Sequence, residues 1–94
     1  MYLKNKMLID VKGEMPMAIG FVLLHVSTVH ENEVFNTLSK LPEVLEVHPV
    51  SGEYDIVAKI KAEDYESIAE IIIKKIKTIP GVTDTKTLTG KHLG

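Results

Sequence analysis

The sequence contains no cysteine and no arginine, and all of its 11 basic residues are lysines. The absence of cysteine excludes disulfide bonds, thiolate metal ligands and a thiol nucleophile. Arginine is the preferred side chain for two-point contacts to phosphates and guanine edges, so its absence argues against direct reading of DNA. The formal net charge of −2 argues the same way, because nucleic-acid-binding domains are usually basic. We therefore expect no direct DNA binding.

The chain also lacks an apolar run long enough to cross a membrane, and Asp10 and Glu14 interrupt the N-terminal region in which a signal peptide would be apolar. With 94 residues, of which 45% are hydrophobic, it is long enough for one domain with its own core. A sequence without cysteine is compatible with a reducing compartment. We therefore expect a cytoplasmic protein that is not inserted in a membrane.

Apolar residues recur with the periods of strands and helices in the order β-α-β-β-α-β. Asp64 is a suitable N-cap for the second helix, whereas the first helix opens either with a capping box from Thr28 to Glu31 or at His30. The predicted strands are residues 18–26, 44–50, 56–60 and 82–89, and the predicted helices end at about residue 40 and span residues 65–77. This order is typical of a ferredoxin-like α+β sandwich, in which two helices cover one face of a four-stranded antiparallel sheet.

The first predicted strand is apolar on both of its alternating faces, with Phe21 and Leu23 on one side and Leu24 on the other. A strand of this kind is buried on both faces. The two helices cover only one face of the sheet, and soluble monomers rarely leave a large apolar patch exposed on the other. The sequence therefore predicts a sheet-to-sheet homodimer of the dimeric α+β barrel type, formed by a domain of residues 17–94. Residues 1–16 are predicted to be an N-terminal extension, such as an extra strand or arm.

A turn with the sequence Ser51-Gly52-Glu53-Tyr54-Asp55 separates the second and third predicted strands. Gly52 can adopt the positive φ that a tight turn requires, and Ser51 and Asp55 can form hydrogen bonds with nearby backbone. The same turn presents a carboxylate and a phenol, which are polar groups suited to a ligand. Because turns contain Gly and Asp for conformational reasons alone, the residues by themselves leave both interpretations open.

Four threonines alternate along the last predicted strand and are expected on one face: Thr83, Thr85, Thr87 and Thr89. Threonine suits a strand by its branched side chain, which is one explanation of the pattern. The other explanation is a binding surface for a zwitterion. In that case the hydroxyls and backbone amides bind the carboxylate of the ligand, and Asp55 binds its ammonium group.

No pattern in the sequence assembles a catalytic or metal centre. His25 and His30 are the only neighbouring histidines, and their spacing matches no metal-ligand motif. The chain has no phosphate-binding glycine loop and no nucleophile elbow. We therefore expect no catalytic residues, no bound metal and no cofactor.

Two segments resemble the ligand-sensing domain, or RAM domain, of the Lrp/AsnC family of transcription regulators. They are VSGEYDIV, residues 50–57, and PGVTDTKTL, residues 80–88. The resemblance covers about residues 17–89 and depends on the combination of G-x-x-D-hydrophobic with G-V-x-x-T-x-T. It implies a sandwich that dimerises through its sheets and assembles into rings of dimers such as an octamer. It also implies an amino-acid effector bound at the junction between dimers.

By this resemblance, Gly52 and Asp55 match effector-loop positions of the family, and Thr85 and Thr87 match a pair on its last strand. The other predicted ligand-binding residues lie in the same loop as Gly52: Ser51, Glu53 and Tyr54. The resemblance thus implies a non-enzymatic module that binds an amino acid and modulates transcription or amino-acid metabolism.

Full-length members of the family carry an N-terminal helix-turn-helix domain, which residues 1–16 are too short to form. We therefore expect a stand-alone sensing module that acts alone or assembles with full-length Lrp/AsnC regulators. The composition, rich in lysine and isoleucine and free of glutamine, is compatible with a thermophilic archaeon.

A second class of function is a small enzyme of the dimeric α+β barrel type, either a cofactor-free monooxygenase or a haem-handling protein. Such an enzyme needs a polar or histidine-lined cavity between the sheet and the helices. His25 and His48 are the only histidines on predicted strands, and a filled, apolar interior would count against this alternative.

Overall fold

The computed structural model describes residues 18–90, so the predicted N-terminal extension and residues 91–94 lie outside the described part of the chain. Its four strands are β1 (Ala18–Val26), β2 (Val44–Pro49), β3 (Ile56–Ala62) and β4 (Val82–Thr89). They form one antiparallel sheet in the order β2-β3-β1-β4, with the first and third strands in the centre. The predicted ferredoxin-like topology is confirmed.

Two strand ends differ from the prediction. β2 ends at Pro49, because the Val50 N–H already closes the hairpin by donating to the Asp55 carbonyl at 2.9 Å. β3 continues to Ala62, because this residue still pairs with Ala18 at the start of β1. Strand length is thus set by the partner strand as well as by the residues themselves.

The first helix, α1 (Glu31–Lys40), follows a 3₁₀ turn at Thr28–His30. The predicted capping box is wrong, because neither Ser27 nor His30, which occupy the two N-cap positions, forms a side-chain cap. The helix instead opens after His30, as the alternative prediction has it. The 3₁₀ turn replaces a side-chain cap, because the His30 N–H donates to the Ser27 carbonyl at 2.9 Å.

The second helix, α2 (Tyr65–Ile71), begins at the predicted N-cap. Asp64 accepts a 2.7 Å hydrogen bond from the Ser67 N–H, and this contact lowers the pKa of its carboxyl group. The prediction of one continuous helix to residue 77 is wrong, since Ile72–Ile76 form a π-helical turn. The wider turn, closed by the Lys77 N–H and the Ile72 carbonyl at 2.7 Å, buries Ile72 and Ile76. No helix within residues 18–90 is long and apolar enough to cross a membrane.

The core lies between the sheet and the two helices. Residues that face each other on adjacent antiparallel strands share a face of the sheet, so Val22 with Ala58 and Leu24 with Ile56 lie on the helix-covered face. The largest fully buried side chains of this layer come from the sheet, from both helices and from the π-helical turn: Leu24, Ile56, Ile60, Leu38, Ile68 and Ile76. Burying each of them contributes about 1.5–3 kcal/mol.

The opposite face of the sheet is not covered within residues 18–90, and we call it the bare face. Its centre is an apolar strip formed by β1 and its two neighbours: Ile19, Phe21, Leu23, Val57 and Leu88. Phe21 is 39% exposed and Leu88, directly opposite on β4, is 46% exposed. Lys59 flanks the strip, with its Nζ 6.0 Å from the Phe21 ring centroid and 3.6 Å from Glu46. The apolar strip is the surface that the sequence predicts to be covered by a second copy.

The π-helical turn is joined to the start of β2 by an ion pair between Lys75 and Glu43. The hydrogen bond from Lys75 lowers the pKa of Glu43, although partial burial opposes this shift. A carboxyl group with a lowered pKa in the folded state stabilises the fold above its ordinary pKa, and this contribution disappears as the pH falls through the lowered value.

We therefore expect Lys75→Met to lower the free energy of unfolding at pH 7 by about 0.2–1 kcal/mol, as for other partly exposed ion pairs. The difference from wild type should shrink as the pH falls below the ordinary glutamate value of 4.5. Urea denaturation at several pH values measures it. Lys74→Met is the matched control. Lys74 and Glu70 are 3.1 Å apart, both side chains are exposed, and the two residues are four positions apart in the chain, so their ion pair does not join separate elements. An equal effect of both variants would contradict a specific role of Lys75.

Candidate functional site

The loop that contains the predicted ligand-binding residues 51–55 lies at the end of the sheet where β1 ends and β3 and β4 begin. Backbone hydrogen bonds fix this end: the Asp55 N–H donates to the Leu24 carbonyl at 2.8 Å, and the Ser27 N–H donates to the Gly81 carbonyl at 2.8 Å. Gly52 has φ +135°, as predicted for the turn, and a side chain at its position would meet open space. The loop is thus held at its base and open at its tip.

Asp55 extends the pairing of β1 beyond its last partner on β3. The β1–β3 pairing ends at Leu24 and Ile56, and the Asp55 Oδ2 then accepts a 2.8 Å hydrogen bond from the Val26 N–H. The sequence analysis left open whether Asp55 stabilises the turn or binds a ligand, and this hydrogen bond to backbone is the stabilising role. It uses one carboxylate oxygen only, because the other, Oδ1, has no hydrogen-bond partner among residues 18–90. The side chain is 39% exposed, so Oδ1 is accessible to a ligand.

His25 and Tyr54 form a stacked pair beside this carboxylate. Their ring centroids are 4.3 Å apart with an interplanar angle of 24°, and the His25 Nδ1 lies 4.0 Å from the Asp55 Oδ2. His25 alternates with the buried Leu24 and Val26, so its side chain lies on the bare face. The sequence prediction placed Tyr54 at the site but not His25. His25 reaches this position through the register of β1 against the loop. Residue spacing alone does not specify that register, so the sequence offered no direct signal for His25.

The threonines of β4 lie on the other side of the sheet. Thr85 is opposite Leu24 and Thr87 is opposite Val22, so both share the helix-covered face at the edge of the sheet. Asp55, in contrast, lies next to His25 on the bare face. One copy of the chain therefore does not bring Asp55 and these two threonines to a common pocket.

Thr83 departs from the predicted alignment of four threonines. The register of β1 and β4 shifts at this point, because Val26 is opposite Val82 while His25 is opposite Asp84. Thr83 is the extra residue of this bulge, and its Oγ1 donates to the His25 carbonyl at 3.2 Å. The other three threonines keep the predicted alternation.

Ser51 and Glu53 are exposed at the tip of the loop. Ser51, predicted to bond to nearby backbone, forms no side-chain hydrogen bond within residues 18–90. No group of three or more histidine or carboxylate side chains in that part of the chain is arranged to hold a metal ion. A separate open groove of about 320 Å³ lies between α1 and Pro80 and contains none of the predicted site residues; its lining is Glu33, Asn36, Thr37, Ile79 and Pro80.

Comparison with known proteins gives a family match over most of the domain. Residues 20–89 match the profile of the Lrp/AsnC ligand binding domain. An HTH-type transcriptional regulator of the archaeon Pyrococcus furiosus is 39% identical over 72 residues, which are 73% of this chain and 48% of that protein. The chain thus spans about half the length of the curated regulators that it matches.

Two further matches concern proteins of other lengths. A crystal structure of a protein from Thermus thermophilus superimposes with a TM-score of 0.77 and 29% identity, covering 83% of this chain and 98% of that one. A homocitrate synthase of Sulfurisphaera tokodaii is 39% identical over 61 residues, which are 65% of this chain and only 13% of that enzyme. The similar region is thus nearly the whole chain of the first protein and a small part of the second.

Proposed function

Since the chain belongs to the Lrp/AsnC family by its ligand-binding domain, we propose that it is a non-enzymatic regulatory module that binds an amino acid. The observation that carries this proposal is the accessible Oδ1 of Asp55, in a loop whose base is fixed to β1. A carboxylate with one free oxygen can accept hydrogen bonds from the ammonium group of an amino acid. Its other oxygen, bound to the Val26 N–H, holds the group in position.

The remainder of the proposed site comes from the loop and from a second copy of the chain. Ser51 and the backbone around Gly52 are exposed and can donate to the ligand carboxylate. Thr85 and Thr87 lie on the opposite face from Asp55, so a ligand that contacts both groups must bind between protomers. This geometry supports a site shared by two protomers, and we propose that it lies at the junction between dimers.

We further propose that two copies pack through their bare faces and that the dimers assemble into a larger ring such as an octamer. The apolar strip on the bare face supports the dimer, since exposed patches of this kind usually mark an interface. Assembly with full-length Lrp/AsnC regulators would connect the module to transcription. The matched segment is 48% of one such regulator, so that protein contains further sequence outside this domain.

The enzyme alternative is less well supported. A dimeric α+β barrel enzyme requires polar groups between the sheet and the helices. In residues 18–90 the buried side chains of this layer are all hydrophobic, and His25 lies on the bare face. The match to homocitrate synthase covers 13% of that enzyme, and the regulators match over a larger part of this chain.

The proposal predicts that Asp55→Asn weakens the binding of the effector about tenfold to a hundredfold, because a charge-assisted hydrogen bond is worth about 1.5–3 kcal/mol. Asparagine can still accept the hydrogen bond from Val26, so the loop should keep its shape. Calorimetry with each of the twenty amino acids on the wild type, followed by the variant, measures this. Thr85→Val, which removes a hydroxyl at nearly constant volume, should also weaken binding.

Asp84→Asn is the matched control, because it removes a carboxylate on the bare face that lies opposite His25 but outside the loop. The affinity of Asp84→Asn for the amino acid should stay close to that of the wild type. Unchanged affinity in both Asp55→Asn and Thr85→Val would leave these residues with structural roles only. Failure of the wild type to bind any amino acid would contradict the proposed function itself.

A further inference from the structure

We propose that a second copy of the chain pairs antiparallel with the free edge of β4, about a two-fold axis at Thr85. The two four-stranded sheets then form one continuous sheet. The contact uses the edge of the sheet instead of the bare face and needs no amino acid, so it goes beyond the proposed function. Adding a strand to an exposed sheet edge is a common mode of protein association.

β4 is an edge strand with no neighbour on its outer side within residues 18–90, because it pairs only with β1. Natural edge strands are often short, bulged or interrupted by proline, which hinders pairing with another chain. β2, the other edge, has six residues, a register shift after Val44 and Pro49 at its end. β4 has eight residues and no proline, and its pairing is regular from Asp84 to Thr89. The edge of β4 is therefore the one suited to accept a strand.

The sequence of β4 is complementary to itself when two copies run antiparallel. Its central segment is Thr83-Asp84-Thr85-Lys86-Thr87. With Thr85 opposite Thr85 of the partner subunit, Asp84 lies opposite the partner's Lys86, and the same contact is repeated across the axis. Opposite charges in facing positions stabilise a pair of strands, as do facing threonines. Neither Asp84 nor Lys86 forms an ion pair within residues 18–90, so both charges are available.

The same two charges disfavour the neighbouring registers. A two-fold axis perpendicular to the sheet keeps both bare faces on one side, so facing residues must come from the same side of each strand. A pair centred on Asp84 would place two aspartates opposite each other, and a pair centred on Lys86 would place two lysines opposite each other. Like charges in facing positions destabilise a pair of strands. Only the register centred on Thr85 gives both charges an opposite partner.

The small size of this contact determines where it is effective. A stable interface buries about 1,200–2,000 Å² in total, which pairing over one short strand does not reach. Single copies should therefore associate only weakly through β4. A dimer packed through its bare faces carries two β4 edges, so an assembly of such dimers gains from several contacts at once. We therefore expect the edge contact to join dimers.

Thr85→Cys tests the pairing directly, because the chain contains no other cysteine. Facing residues of antiparallel strands have Cα atoms about 4.5–5.5 Å apart, within the range that a disulfide bond spans. Mild oxidation without any amino acid should therefore convert Thr85→Cys into a covalent dimer, measured by electrophoresis without reducing agent. Thr85 lies on the helix-covered face, so packing through the bare faces does not bring two copies of this residue together.

Thr87→Cys is the matched control, because Thr87 lies on the same face of the same strand. In the proposed register it faces Thr83 of the partner subunit, and the two copies of Thr87 are about 14 Å apart. Cα atoms more than about 7 Å apart cannot be bridged, so this variant should cross-link at least about tenfold more slowly than Thr85→Cys.

A charge exchange tests the register. Adding Asp84→Lys to Thr85→Cys places two lysines opposite each other on both sides of the axis and should slow cross-linking about tenfold. Further addition of Lys86→Asp restores opposite charges and should restore the rate. Glu33→Lys in the Thr85→Cys protein is the control for net charge, because Glu33 is exposed on α1, away from β4. It should leave the rate unchanged.

Each contrary outcome has a definite meaning. Equal cross-linking of Thr85→Cys and Thr87→Cys, or none in either variant, would overturn the pairing and leave the edge to another occupant. A rate that does not recover after the charge exchange would overturn the register. Because the assay contains no amino acid, a failure of the wild type to bind any amino acid would contradict the proposed function and leave this contact standing.

Discussion

Replacing Gly81 with alanine should lower the free energy of unfolding by about 3 kcal/mol, from backbone strain of about 1–2 kcal/mol and overpacking of about 1–3 kcal/mol. Gly81 has φ +102°, a conformation that residues with a side chain rarely adopt. A Cβ at this position would lie 2.3 Å from the His30 Cβ, where neither atom belongs to a flexible end of a side chain. Denaturation by urea at a fixed protein concentration measures the loss, because assembly also affects apparent stability.

Gly52→Ala is the matched control for this prediction. Gly52 also has a positive φ, +135°, but its Cβ would meet open space. The free energy of unfolding of Gly52→Ala should therefore fall only by the cost of the backbone conformation, about 1–2 kcal/mol. Adding His30→Gly to Gly81→Ala should recover the steric part of the loss. Equal losses in the two alanine variants would show that the contact with His30 contributes nothing.

If two copies pack through their bare faces as proposed, Phe21→Glu should leave the protein monomeric at micromolar concentration without unfolding it. Phe21 lies in the centre of the apolar strip and is 39% exposed, so a single copy of the chain tolerates a charge there. In a sheet-to-sheet dimer the same carboxylate is buried without a partner, which costs several kcal/mol for each copy. Sedimentation measures the mass, and circular dichroism checks that the fold is retained.

Val29→Glu is the control for the dimer prediction. Val29 is 83% exposed in the 3₁₀ turn before α1, outside the apolar strip, so the charge should leave the oligomeric state unchanged. A dimeric Phe21→Glu protein would contradict packing through the bare face. Dissociation by both variants would indicate that another surface joins the copies.

The periods of the apolar residues were sufficient to predict the sheet, its topology and the positions of both helices. The observed β1 has the same first and last residues as the predicted strand. Apolar residues occupy most of its nine positions, which leaves little freedom in placing its ends. The π-helical turn at Ile72–Ile76 was not predictable in this way. Buried residues four apart, such as Ile72 and Ile76, fit an α-helix equally well, and the wider turn is compatible with the same spacing. The predicted capping box from Thr28 to Glu31 was wrong for a related reason, since a 3₁₀ turn satisfied the backbone donors without a side-chain cap, whereas the alternative start at His30 was right.

The candidate site was predictable where it depends on local sequence. The turn at Gly52 and the placement of Asp55 at its end follow from residues that are close in the chain. The contact of Asp55 with Val26 and the neighbourhood of His25 depend on strand register between residues about 30 positions apart, which local patterns do not specify. The bulge at Thr83 belongs to the same class, because it is a property of the β1–β4 pair and not of the threonine sequence.

The hydrogen bond from the Val26 amide to Asp55 gives the hairpin loop its own observable in hydrogen–deuterium exchange. Amide protons that bond to backbone carbonyls of neighbouring strands exchange only when the sheet opens. The Val26 proton instead bonds to a side chain, so it becomes exposed to deuterium whenever the Asp55 carboxylate turns away. Its exchange rate therefore reports the motion of the loop separately from the stability of the sheet. A bound molecule that immobilises Asp55 should slow this one amide while the rest of β1 exchanges as before.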